Sequence, residues 1–284
     1  GLLVVALAVG LSVSTDEFLS LGNLTDVATS YAILGILACG LFVVLISGGI
    51  DISFPAMTAI AQYAMASWVI GHGGNFALAL TIAIAVGLLL GLINGFLVYW
   101  LRVPAIIITI ATLNVYYGLL VYATKGTWLY GFPDWFMNGI NWFSFTAADG
   151  YDYGLTLPLL CLAAVIIFTA VLMNYTRLGR QVYAMGGNRD AASRLGLNLL
   201  KLHFYVYGYM GILAGVAAVV QAQITQSVAP NSLLGFELTV LAAVVLGGTS
   251  MSGGRGTLTG TLLGVVLLAF LQNGLTLLSV SSYW

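Results

Sequence analysis

The chain has 284 residues, 61% of them hydrophobic and only 6% charged, with a formal net charge of −1. Soluble domains carry about a quarter charged residues, and a water-soluble core of this length cannot absorb so much apolar surface. The figures exclude a soluble enzyme and a nucleic-acid-binding module. Long apolar blocks, in place of short alternating segments, point to an all-α polytopic membrane protein and away from a transmembrane β-barrel.

In chain order the predicted apolar helices cover 1–13, 26–46, 53–71, 76–101, 105–123, 153–173, 204–224, 235–248 and 257–279, within a single transmembrane domain spanning 1–284. The first is too short for a full span and lacks a basic flank. The chain closes on the aromatic belt Ser281-Ser282-Tyr283-Trp284. The expectation is a chain trimmed at each end.

Charge orients these segments. The loops at 14–25 and 124–152, with Asp26 at the edge of the first, hold six of the nine acids and only Lys125 of the eight cations. The loop at 174–203 holds five cations: Arg177, Arg180, Arg189, Arg194 and Lys201. Lys and Arg resist translocation, so 174–203, Arg102 and Arg255 are placed in the cytoplasm and 124–152 outside. Nine alternating segments satisfy this pattern.

The outer loop is aromatic, with Trp128, Tyr130, Phe132, Trp135, Phe136, Trp142 and Phe143. It reads either as an interfacial helix at the headgroups or as a docking surface for a delivery protein. The inner loop contains a predicted short helix, Asp190 to Gly196, entered through Gly186-Gly187-Asn188. A short helix in a polar island suggests a surface on which a partner docks.

Gly87, Gly91 and Gly95 share one helix face, and Gly256, Gly260 and Gly264 repeat the spacing. Such stripes let helices pack backbone to backbone in lipid. Three places break the helical pattern: Gly48-Gly49 with Asp51, Ser53 and Pro55; Arg102-Val103-Pro104; and Gly247-Gly248 through Gly253-Gly254. Each glycine-rich break reads either as a tight turn or as a pathway element of the kind transporters use. Asp51 and Glu237 lie near helix starts, where capping is the expected role.

No nucleophile–base pair, metal-ligand spacing or phosphate-binding loop is present in the sequence, so no catalytic or metal residue is assigned. Cys39 and Cys161 read as small buried hydrophobes, and His72 and His203 as interface residues. The helices instead carry uncharged hydrogen-bonding groups. Gln62, Tyr63, Asn94, Thr109, Thr112, Asn114, Tyr116 and Tyr117 lie in the first half, and Gln221, Gln223, Gln226, Gln272 and Asn273 in the second. They suit a neutral polyhydroxylated solute. Gln62, Asn94, Asn114, Tyr117, Gln221, Gln272 and Asn273 are the pathway candidates.

Several blocks together carry a resemblance. Gly48-Gly49-Ile50-Asp51-Ile52-Ser53, Asn94-Gly95 before Val103-Pro104-Ala105, and Leu178-Gly179-Arg180 are three of them. Gly186-Gly187-Asn188 with Ala191-Ala192 and Leu195-Gly196, and Ala242 through Ser250, complete the set. From about residue 20 to its end the chain resembles permease subunits of ribose-type ABC importers, a family that includes autoinducer-2 permeases. One departure is Phe54-Pro55-Ala56, where many members carry a Val-Gly-Ser-like stretch.

The resemblance implies a type II importer fold of ten transmembrane helices, about nine of them present. It also implies a second permease subunit, two ABC ATPase subunits holding ATP and Mg, a periplasmic sugar-binding protein, and residence in the bacterial inner membrane. No cofactor is expected on this chain, no nucleic acid as partner, and lipid around it. It assigns ATPase coupling to Gly187, Asn188, Ala191, Ala192 and Gly196, with Arg189 and Arg194 available to pair with acids of the partner. Alternatives are an ion-coupled secondary transporter, a facilitator channel and, within the ABC class, a nucleoside or autoinducer-2 permease.

Overall fold

The computed structural model describes residues 1–138, 144–146 and 152–280. Trp142, Phe143 and the closing Ser281 to Trp284, singled out above, lie outside the described residues. Every apolar segment read from the sequence coincides with helix. In order these are α1 (Leu2–Ser14), α2 (Leu21–Ser30) with α3 (Ala32–Ile46), α4 (Phe54–His72), α5 (Phe76–Leu101) and α6 (Ala105–Thr124). After a short α7 (Asp134–Met137) come α8 (Leu157–Tyr175), α9 (Arg177–Gly187), α10 (Arg189–Arg194), α11 (Leu199–Thr225), α12 (Phe236–Leu246) and α13 (Leu258–Leu277).

Five of these helices, α5, α6, α8, α11 and α13, are long and apolar enough to cross a membrane, and six spans result if α2 and α3, bent by 46°, count as one. Length and composition thus support fewer spans than the nine apolar segments expected, of which the first was read as partial. Helix α12 has only 11 residues and α1 only 13. Helix α4 has 19 residues but carries Thr58, Gln62, Tyr63, Ser67 and His72.

Helix α3 is the axis of the bundle. Every residue from Ala32 to Ile46 is buried, as expected of a helix that is apolar all round. It packs against α8, α11, α12 and α13. The glycine stripe of α5 meets a second stripe on α11. A Cβ on Gly87 would strike the Gly211 carbonyl, one on Gly91 the Tyr207 carbonyl, and one on Gly95 would lie 2.9 Å from the His203 carbonyl. The two backbones touch, as the spacing predicts. Gly211→Leu should cost about 3 kcal/mol or more by overpacking this seam, read as a loss of the monodisperse peak in size-exclusion chromatography.

At the acidic end, Phe132 and Phe136 are buried with ring centroids 4.5 Å apart, and Phe76 stacks on Phe136 at 5.4 Å. Trp128 and Tyr130 remain exposed. The aromatic loop is thus partly an inward clasp, fastened to the segment after α11 by the Leu129–Val228 bridge. Two short strands, β1 (Ser144–Thr146) and β2 (Asp152–Gly154), pair antiparallel, a departure from the all-helical expectation. Phe, Thr and Tyr are good strand formers, and three-residue strands leave no periodicity to read.

Candidate functional site

The polar island folds as two helices, where the sequence suggested one. Thr176 accepts from the Gly179 N–H at 3.1 Å and starts α9, whose Gly179, Val182 and Met185 are buried while Arg177 and Arg180 face out. Asn188 Oδ1 accepts from the Ala191 N–H at 2.9 Å and caps α10. Gly196, at φ 82°, ends it, and the Leu197 N–H bonds back to the Ala192 carbonyl. Gly187, Arg189, Ala191 and Arg194 are exposed, whereas Ala192 is 2% exposed and packs inward. Leu195 is 80% exposed, an apolar side chain projecting from a polar surface. Sequence reasoning assigned it no role. Its signal was a lone leucine just before the helix-ending glycine.

The end of α9 wedges between both glycine-rich breaks. Helices α3 and α12 terminate alike: Gly48 and Gly248 adopt φ of 84° and 88°, and the Gly49 and Thr249 N–H groups bond to the Val44 and Val244 carbonyls. The Gly254 N–H then donates to the Ile46 carbonyl at 2.9 Å, joining the two breaks. A Cβ on Gly186 would strike that same carbonyl and lie 2.8 Å from Gly254 N. One on Gly253 would lie 2.6 Å from Gly48 Cα and 2.7 Å from the Gly186 carbonyl. The Tyr183 hydroxyl donates to the Gly256 carbonyl at 3.0 Å, and burial raises this phenol above its usual range, which keeps the donor proton in place. Three chain segments distant in sequence form one backbone junction beneath α10.

A buried polar chain braces the first break. Asp51 Oδ1 accepts from the Ser53 N–H at 2.8 Å and from the Ser53 hydroxyl at 2.6 Å. Asn94 Nδ2 donates to that hydroxyl at 2.6 Å, Tyr116 donates to Asn94 Oδ1 at 3.2 Å, and Thr109 donates to the Ile50 carbonyl at 3.1 Å. Asp51 therefore braces the turn into α4 without making the expected cap, its Oδ2 is buried with no partner among the described residues, and Asn94 ties α5 to that turn. Glu237 differs from expectation. Gly235 stands at the N-cap of α12, the Glu237 side chain makes no cap bond, and its buried Oε2 has no partner among the described residues.

The remaining pathway candidates separate. Asn273 and Asn23 exchange amide bonds at 2.8 and 3.1 Å, clamping α13 to α2. Asn114 is exposed and bonds to the Ile110 carbonyl of its own helix; Gln221 and Gln272 are half-buried. Gln62 is 1% exposed with neither amide atom bonded, and Tyr117 is 7% exposed with a free hydroxyl, both among the described residues. Cys39 and Cys161 are free thiols, and no cluster of His, Cys, Asp or Glu among the described residues could hold a metal.

Residues 23–284 match the family described as branched-chain amino acid transport system / permease component. The chain belongs to this permease family. It is 34% identical to the ribose import permease protein RbsC of Escherichia coli (strain K12) over 274 residues, covering 96% of this chain and 84% of the relative. It is 34% identical to RbsC of Bacillus subtilis (strain 168) over 278 residues, 98% of this chain and 84% of the relative. The autoinducer 2 import system permease protein LsrC of Yersinia enterocolitica is 32% identical over 283 residues, 100% of this chain and 76% of the relative. The permease is a multi-pass inner-membrane protein, and the ribose-type resemblance read from its glycine blocks agrees with these relatives.

Proposed function

We propose that this permease is the transmembrane subunit of an ATP-binding-cassette importer that carries a monosaccharide or similar neutral polyol across the bacterial inner membrane. The observation that carries this reading is the Gly186 wedge: a capped, exposed two-turn helix on a basic loop stands directly on the junction of two broken helices. A force applied to α10 reaches both breaks through backbone contacts that have no slack.

In this reading 174–203 is the cytoplasmic coupling loop and 124–152 the periplasmic one. The nine apolar segments are spans of a type II importer fold, with α12 and α1 as partial crossings. Two permease subunits enclose the pathway. The partner ATPase subunits bind ATP and Mg and supply the energy, so this chain performs no catalysis. A periplasmic binding protein supplies most of the affinity, and the pathway itself binds weakly. Gly187, Asn188, Arg189, Ala191, Arg194 and Gly196 form the docking surface, to which we add Leu195. Ala192, turned inward, instead fixes α10 to the bundle.

The test is affinity purification of the full-length permease from its native cell in mild detergent, with mass spectrometry of its companions. A stoichiometric ATPase carrying a phosphate-binding-loop lysine is expected. A chain that purifies alone would contradict the proposal.

A further inference from the structure

Buried polar groups that bond to nothing destabilise a fold, so a cluster of them at one depth invites a ligand. Gln62 on α4, Tyr117 on α6 and Glu237 on α12 each present such a group among the described residues. Helix α4 packs against both α6 and α12 and stands between the other two.

Their heights agree. The two breaks are joined at Ile46 and Gly254, and Thr109 is tied to Ile50, so one level serves all three helices. Gln62 lies nine residues beyond Ser53, Tyr117 eight beyond Thr109, and Glu237 ten before Gly247. At 1.5 Å per residue these are about 14, 12 and 15 Å above that level. The hydrocarbon core is about 30 Å thick, which puts them near its middle. Helix α12, at 11 residues, starts there, with its first N–H groups lacking a side-chain cap. Half-helices that begin at mid-membrane recur at transporter binding sites.

We propose that Gln62, Tyr117 and Glu237 form a hydroxyl-binding station for the polyol in transit, an inference that rests on the import function proposed above. The carboxylate accepts from two neighbouring sugar hydroxyls, the carboxamide both donates and accepts, and the phenol serves in either sense. Three such contacts to a neutral solute hold it weakly, as transit requires. A branched-chain amino acid fits worse: its carboxylate would approach Glu237, with no cation among the three groups to receive it.

The test uses the permease assembled with its ATPase and binding protein in proteoliposomes, with radiolabelled ribose and leucine as probes. Glu237→Gln and Tyr117→Phe should each lower ribose uptake about tenfold with assembly retained. Gln62→Leu should lower uptake equally while raising the melting temperature of the complex, because no structural bond is lost. Wild-type ribose uptake that survives all three substitutions would overturn the station and leave the import reading intact. A Gln62→Leu complex that melts earlier would also overturn it, by showing the amide to be a structural bond. A wild type that imports leucine and not ribose would overturn the import reading and the station together.

Discussion

Gly186→Ala is expected to reduce ATP-driven uptake at least about tenfold while the permease still assembles with its ATPase. A single methyl at this position meets the Ile46 carbonyl and Gly254 N at once. Both are backbone atoms, one at the end of α3 and the other in the turn between α12 and α13, and cannot rotate aside, so the strain, about 1–3 kcal/mol by the usual cost of overpacking, falls on the junction. The wedge must then either withdraw or push the breaks apart, and in each case α10 and the breaks stop moving as one. Gly118→Ala provides the contrast: its Cβ would meet nothing, and uptake should change less than twofold. Proteoliposome uptake and co-purified ATPase, measured on the same samples, separate lost coupling from lost folding. Equal uptake from both variants would remove the junction from the mechanism.

Leu195→Asp is expected to leave the permease folded and strip it of its ATPase. The side chain is 80% exposed, so within the isolated chain the change should stay near ±0.5 kcal/mol. Burying a leucine against a partner is worth about 1.5–3 kcal/mol, and a buried carboxylate in its place adds a desolvation cost. A loss of about 2 kcal/mol or more corresponds to roughly 30-fold weaker association. The expected readout is loss of the ATPase during affinity purification, with an unchanged melting curve for the permease alone. Retention of the ATPase at full stoichiometry would place the docking contact elsewhere on α10.

Much of this was legible in the sequence because lipid makes the code simple. Apolar runs marked every long helix, and Gly87, Gly91 and Gly95 announced a backbone seam. Gly48-Gly49 and Gly247-Gly248 were read as breaks because consecutive glycines release a helix. Their meeting at Gly186 was not legible: contact between segments some 140 and 70 residues apart leaves no local pattern. Helix α9 was passed over because Leu178, Val182 and Met185 sit among arginines and glycines that mask their spacing. Glu237 was read as a cap on its position in the first turn, and only the structure shows its oxygen unbonded. Asn94 and Asn273 looked like pathway amides, yet one braces a helix start and the other clamps two helices. A polar residue's type does not reveal which neighbour claims it.

The central claim, that this permease imports a polyol by coupling to an ATPase, is tested most directly by uptake of radiolabelled ribose into proteoliposomes carrying the complete complex. The account predicts uptake that requires both ATP and the binding protein and that persists when ionophores collapse the proton and sodium gradients. Uptake by the permease alone, driven by either gradient without ATP, would contradict it.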